Sequence, residues 1–116
     1  MKKVYFLSTC STCKDIMKLW DLSEVEKINL KKQPLTELDL YELYSISKSY
    51  ELLFNKRAIL FRDKKKEFVE IVEKNYRDMI ISHYSFLKRP ILLINGKLFI
   101  GNSKEVVYAA SIELKK

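Results

Sequence analysis

Val4, Tyr5, Phe6 and Leu7 form an unbroken apolar run, the pattern of a strand buried on both faces, and predict a central strand. From Cys13 the period changes. Ile16, Met17 and Trp20 fall on one side of a helix, while Lys14, Asp15, Lys18 and Asp21 turn away from it. Thr9 is the expected cap of that helix. A second strand is expected over Val25 to Leu30, with Ile28 and Leu30 on one face and Gln33-Pro34 ending it.

Thr36-Glu37-Leu38-Asp39 has the form of a capping box with Asp in place of Glu, and predicts a helix that buries Leu40, Leu43 and Tyr44. The region 34–88 reads as mostly helical. Leu52-Leu53-Phe54 and Ile59-Leu60-Phe61 are short apolar clusters, and Phe68, Ile71, Val72, Tyr76, Met79 and Ile80 repeat at helical spacing as a core stripe. This stretch has too little core to stand as a separate domain. Ile91 to Ile94 and Lys97 to Ile100 then flank Asn95-Gly96, a dipeptide that accepts positive φ at both turn positions, which predicts a hairpin. Gly101 ends it, Ser103 caps a last helix, and Val106, Val107 and Ala110 form that helix's inner stripe.

The order strand, helix, strand, helical insertion, Pro, strand, hairpin, strand, helix gives an α/β fold with a mixed four-stranded sheet. A right-handed crossover makes the first two strands parallel, and the hairpin makes the last two antiparallel. With 116 residues, 47% of them apolar, the chain suits a single domain over 1–116 with one core. No apolar stretch reaches membrane-span length, which predicts a soluble protein without membrane partners.

Cys10-Ser11-Thr12-Cys13 lies where the first strand hands over to its helix. Unpaired amides and the positive end of the helix dipole favour a thiolate on Cys10, and Cys13 is one turn away on the same face. A redox couple is the expectation. The alternatives are a buried inert pair or half of a zinc site; His83 is the only remaining His or Cys, too few for four zinc ligands, so no metal is expected. Two cysteines at this spacing without a secretory signal suit a reducing, cytoplasmic setting. His83 itself reads as a structural residue. Lys and Arg outnumber Asp and Glu 22 to 15, a formal charge of +7, which favours an anionic partner. Glutathione, an oxyanion, an acidic protein face and nucleic acid all qualify by charge, but Lys64-Lys65-Lys66 lacks the aromatic or Gly-rich company of a nucleic-acid patch and reads as a solvated face.

These pieces together resemble the ArsC family: glutaredoxin-linked arsenate reductases, their uncharacterised relatives and the Spx transcriptional regulators. The resemblance is carried by Tyr5 through Lys14, Pro34-Leu35-Thr36, Leu53-Phe54-Asn55-Lys56-Arg57 and Leu87-Lys88-Arg89-Pro90-Ile91. It implies a thioredoxin-like fold of the glutaredoxin type, with the all-helical insertion between the second and third strands. It implies that Cys10 is the nucleophile, that Cys10 with Cys13 is the Spx-type thiol pair, that Arg89 is the oxyanion-contacting arginine beside the thiol, and that Pro90 is the cis-proline. Arg57 is similar to a further oxyanion arginine within the insertion. Lys14 and Arg89 would supply a positive field around Cys10.

The chain also departs from the reductases. Asn102 follows Gly101 where they carry another arginine, and Cys13 is an extra thiol, so the resemblance does not imply a dedicated arsenate reductase. It implies a thiol-disulfide oxidoreductase working with glutaredoxin, thioredoxin or glutathione as co-substrate, with no bound cofactor. The alternative is a Spx-like redox switch docking on RNA polymerase, at the C-terminal domain of its α-subunit, although the docking glycine of Spx-type insertions has no equivalent here.

Overall fold

A computed structural model describes residues 1–116, which form two units: Met1 to Pro34 with Arg89 to Lys116, and Leu35 to Lys88. The first unit holds one four-stranded sheet in the order β2-β1-β3-β4. Strand β1 (Lys2–Phe6) is interior, as its apolar run requires, with Val4 and Tyr5 wholly buried. Strand β2 (Glu26–Asn29) pairs parallel to it and places Ile28 opposite Tyr5. Strand β3 (Ile91–Ile94) pairs antiparallel on the other side, Ile91 opposite Tyr5. Strand β4 (Lys97–Ile100) completes the hairpin, with φ of 52° at Asn95 and 76° at Gly96, the two left-handed positions of a tight hairpin turn.

Helices α1 (Ser11–Leu19) and α6 (Lys104–Leu114) belong to the same unit. Val4, Leu92 and Ile94 of the sheet meet Ile16 and Trp20 at α1 and Ala110 and Leu114 of α6 in one buried cluster. The indole nitrogen of Trp20 donates to the Val107 carbonyl at 3.1 Å, joining the two helices. Ser103 caps α6 as expected, its hydroxyl accepting from the Val106 amide at 3.3 Å. The cap of α1 differs from expectation: it is Cys10, whose sulfur accepts from the Cys13 amide, and not Thr9, which lies exposed in the preceding turn. The cysteine sulfur here takes the place of the hydroxyl oxygen that capping rules favour.

The helical unit is built around Phe54. Its ring lies 4.9 Å from those of Phe61 and Tyr76 and 5.6 Å from that of Phe86. Helix α2 (Glu37–Ser47) opens on the predicted box: Thr36 Oγ1 accepts from the Asp39 amide at 3.0 Å, and Asp39 returns an acceptor to the Thr36 amide at 3.2 Å. It buries Leu40 and Leu43. Helix α3 (Tyr50–Leu53) is capped from a distance, the Glu73 carboxylate accepting from the Tyr50 and Glu51 amides at 2.7 and 3.0 Å. Helices α4 (Ile59–Lys64) and α5 (Glu73–Ser82) follow.

The apolar stripe over residues 68–80 is only half a helix. Tyr76, Met79 and Ile80 are buried on α5, but Phe68, Ile71 and Val72 precede it in non-helical chain. Val72 is extended, with φ −111° and ψ 173°, and the Asn75 side chain accepts from its amide at 2.9 Å. Two β-branched residues in succession and this back-bond set the helix start after Val72. His83 follows the end of α5 and its Nδ1 accepts from the Ser85 amide at 3.0 Å, so it is tied into local structure.

Candidate thiol site

At the carboxyl end of β1 the chain turns through Ser8 and Thr9 and reaches Cys10 with extended backbone, φ −97° and ψ 107°. The Cys10 amide donates to the Leu7 carbonyl at 3.0 Å, and the Lys14 amide donates to the Cys10 carbonyl at 3.2 Å. The turn and the first helical bond fix the residue from both sides. Its sulfur, half-buried, accepts from the Cys13 amide at 3.4 Å. Cys13, on the inward face of α1, is fully buried, and both thiols are free.

The two sulfurs titrate in opposite directions. Partial burial works against a charge on Cys10, but the Cys13 amide, the Cys13 thiol, the Arg89 guanidinium and the Thr12 amide together outweigh it and hold the thiol below its ordinary value. Burial pushes the Cys13 thiol up to about 12, helped by its hydrogen bond to Cys10 and by the charge there. Of the two, Cys10 gives up its proton more readily and Cys13 holds its own.

Arg89 immediately precedes β3, which runs antiparallel to β1, so the start of β3 adjoins the end of β1 and brings the guanidinium to the thiols. Its charge favours the anionic form of both. The Arg89-Pro90 peptide is cis, and the buried Pro90 accepts at its carbonyl from the Gly101 amide at 3.0 Å. Cys10, Cys13, Arg89 and Pro90 therefore share one unit and one end of its sheet. Lys14 is exposed in the first turn of α1 and is not among the groups that shift either sulfur. Arg57 lies exposed in the helical unit, its amide donating to the Asn55 side chain at 3.1 Å. Asn102 is exposed after Gly101. No group of three or more His, Cys, Asp or Glu side chains is placed to hold a metal ion, and no helix is long and apolar enough to cross a membrane.

One residue of the site escapes sequence reasoning. Asn29, at the end of β2, accepts with a single side-chain oxygen from the Ser8 amide at 3.2 Å and the Lys31 amide at 3.1 Å. It ties the thiol loop to the loop leaving β2. A partly exposed thiol held below its ordinary value, with a buried thiol in contact and a guanidinium adjoining, is an arrangement in which one sulfur can attack an electrophilic sulfur and the other can then close on it.

Residues 5–110 match the model of the ArsC family. The fold is similar to that of an arsenate reductase (ArsC) related protein from Brucella melitensis, at 23% identity and TM-score 0.68, covering 97% of this chain and 95% of that one. It is similar to an arsenate reductase from Vibrio cholerae at 16% identity and TM-score 0.75, covering 94% and 96%. A protein called YffB superposes with TM-score 0.76 at 18% identity, covering 96% and 99%. No curated protein sequence matches the chain.

Proposed function

This chain belongs to the ArsC family, whose members are thiol redox proteins, and from that premise we propose that it is a thiol-disulfide oxidoreductase. The observation that carries the reading is the inequality of the two sulfurs: Cys10 is held below its ordinary value and Cys13 is raised to about 12.

The Cys10 thiolate attacks one sulfur of a substrate disulfide. An S–S bond forms to Cys10, the substrate's own S–S bond breaks, and the departing thiolate takes a proton from solvent. The negative charge on Cys10 is thereby gone. That charge and the hydrogen bond to it are two of the causes holding Cys13 protonated, so formation of the mixed disulfide itself eases Cys13 toward its reactive anion. Cys13 then loses its proton, attacks the Cys10 sulfur and expels the second substrate thiolate. The protein is left with a Cys10-Cys13 disulfide, having given two electrons to the substrate. Glutathione, glutaredoxin or thioredoxin returns them.

Arg89 stabilises the thiolate in this scheme and is the one guanidinium of the sheet unit placed to meet an oxyanion. With Asn102 after Gly101, and one or two guanidinium groups where three neutralise a multiply charged oxyanion better, dedicated arsenate reduction is not the assignment. The test is turnover of a small neutral disulfide, such as hydroxyethyl disulfide, with glutathione or thioredoxin as reductant. Turnover is expected in the native chain and is lost in Cys10→Ser, while Cys13→Ser given the disulfide without added reductant is trapped as a mixed disulfide visible by mass spectrometry. No turnover, with an ordinary pKa of about 8.5 for Cys10, defeats the assignment. Binding to the C-terminal domain of the RNA polymerase α-subunit under those conditions would instead support the Spx-like switch.

A further inference from the structure

The sheet topology collects positive charge around the thiol. Because β2 is parallel to β1 while β3 and β4 alternate, the ends of β1, β2 and β4 and the start of β3 all lie at one end of the sheet. The chain there carries Lys14 in the first turn of α1, Lys31 and Lys32 beyond β2, Arg89 before β3, and Lys104 beyond β4. Only Asp15 and Glu105 oppose them. Neighbouring strands are spaced about 4.8 Å apart, so these loops ring Cys10 within roughly one to two screening lengths at physiological salt.

Two observations make this more than an accident of composition. At the far end of the unit Lys2 pairs with Glu24 at 3.7 Å, and Lys97 and Lys116 share Glu113 at 2.9 and 3.4 Å, with Lys115 exposed beside them and paired with no carboxylate. Lys14, Lys32 and Lys104 are exposed and pair with no carboxylate. Asn29, moreover, holds the Ser8 and Lys31 amides on one oxygen, which fixes the Lys31-Lys32 loop against the loop that presents Cys10.

We infer that this collar is a docking surface for an acidic polypeptide, and that the preferred substrate is a disulfide flanked by Asp or Glu on a protein chain. The inference rests on the exchange chemistry proposed above and names its partner class. Attraction between the collar and carboxylates beside the disulfide raises the encounter rate and orients the scissile sulfur toward Cys10. The bonds made and broken are those of ordinary exchange.

The test uses two disulfide-linked peptides that differ only in having Glu or Gln on both sides of the cysteine. At low ionic strength the reduced protein is expected to react with the Glu peptide about tenfold faster, a gap that closes to roughly twofold or less near 0.5 M salt. Lys32→Glu with Lys104→Glu is expected to abolish the gap, read as the ratio of the two peptide rates so that any change in Cys10 reactivity common to both cancels. Equal rates on the two peptides, or a gap that survives the double variant, overturns the inference. Inertness toward both peptides counts against exchange itself. The collar is then read separately from the rate of Cys10 alkylation by iodoacetate relative to iodoacetamide: the double variant must lower that ratio, and an unchanged ratio overturns the inference.

Discussion

The amide of Cys13 points at the sulfur of Cys10 across 3.4 Å, so one residue supplies both the main-chain donor that steadies the nucleophile and the second thiol of the couple. Substituting its side chain leaves the donor in place. The charge on Cys10 and the fate of a mixed disulfide can thus be altered separately.

Arg89 is expected to set how readily Cys10 ionises. Its charge lowers the Cys10 value together with the Cys13 amide and thiol, against partial burial. Arg89→Leu should raise the pKa and slow iodoacetamide alkylation at neutral pH several-fold, with Arg89→Lys intermediate because it keeps charge but not the planar fork. The pH profile of alkylation measures this directly. Superimposable profiles for the native chain and Arg89→Leu would remove the guanidinium from the account.

Cys13 makes the reduced protein sensitive to alkali. The folded state keeps its proton up to about 12, whereas the unfolded chain releases it near 9.0. A raised folded value means the contribution to stability is complete below pH 9 and is lost as pH climbs toward 12. Urea unfolding at about pH 8 and about pH 10.5 should therefore show a steeper fall for the native chain than for Cys13→Ala, although the variant starts lower because a buried side chain has been cut back. Parallel falls would contradict the assignment of that proton.

Asn29 should matter to the thiol loop more than its place at the end of an edge strand suggests. Removing the shared acceptor in Asn29→Leu leaves the part-buried Ser8 amide without it, while water can reach the exposed Lys31 amide, and costs about 1 kcal/mol. Hydrogen exchange at Ser8 and Lys31 should quicken in Asn29→Leu and stay slow in Asn29→Asp, which keeps an acceptor oxygen. Unchanged protection at Ser8 in the Leu variant would show that another group holds the loop.

Gly96 tests the hairpin in isolation. A Cβ there meets nothing within 4 Å, so the cost of Gly96→Ala is that of a left-handed backbone, φ 76°, in a residue with a side chain. About 1–2 kcal/mol is expected, read as a Tm lower by several degrees, with the Cys10 alkylation rate unchanged. A neutral substitution would mean the turn changes type.

Features decided within a few residues could be read from the chain. Asn95-Gly96 announces its turn because positive φ is a local demand, and Thr36 to Asp39 announces a helix start because both partners of the box lie within one turn. The stripe from Phe68 to Ile80 misleads for the same reason: spacing alone fits a helix, while the Asn75 back-bond to Val72 delays its start until Phe68 and Ile71 have passed. Thr9 is the natural cap by residue type, yet the sulfur of Cys10 takes that place. Asn29 is invisible in the sequence because its partners include Ser8, 21 positions away, and only the parallel pairing of β1 and β2 brings them together. The thiol pair is legible as a motif. The inequality between its members is only partly so, since it depends on the burial of Cys13 and on Arg89 arriving from the far side of the chain.

That last arrival has a consequence for the newborn protein. Tyr5 pairs with Ile91, so the ribosome releases Cys10 long before it has made the strand that delivers the guanidinium. Closing so long a loop is slow and comes late. Until then the two thiols sit on an unfinished sheet with only their own helix to steady a charge, and the guanidinium joins them once β3 has been made.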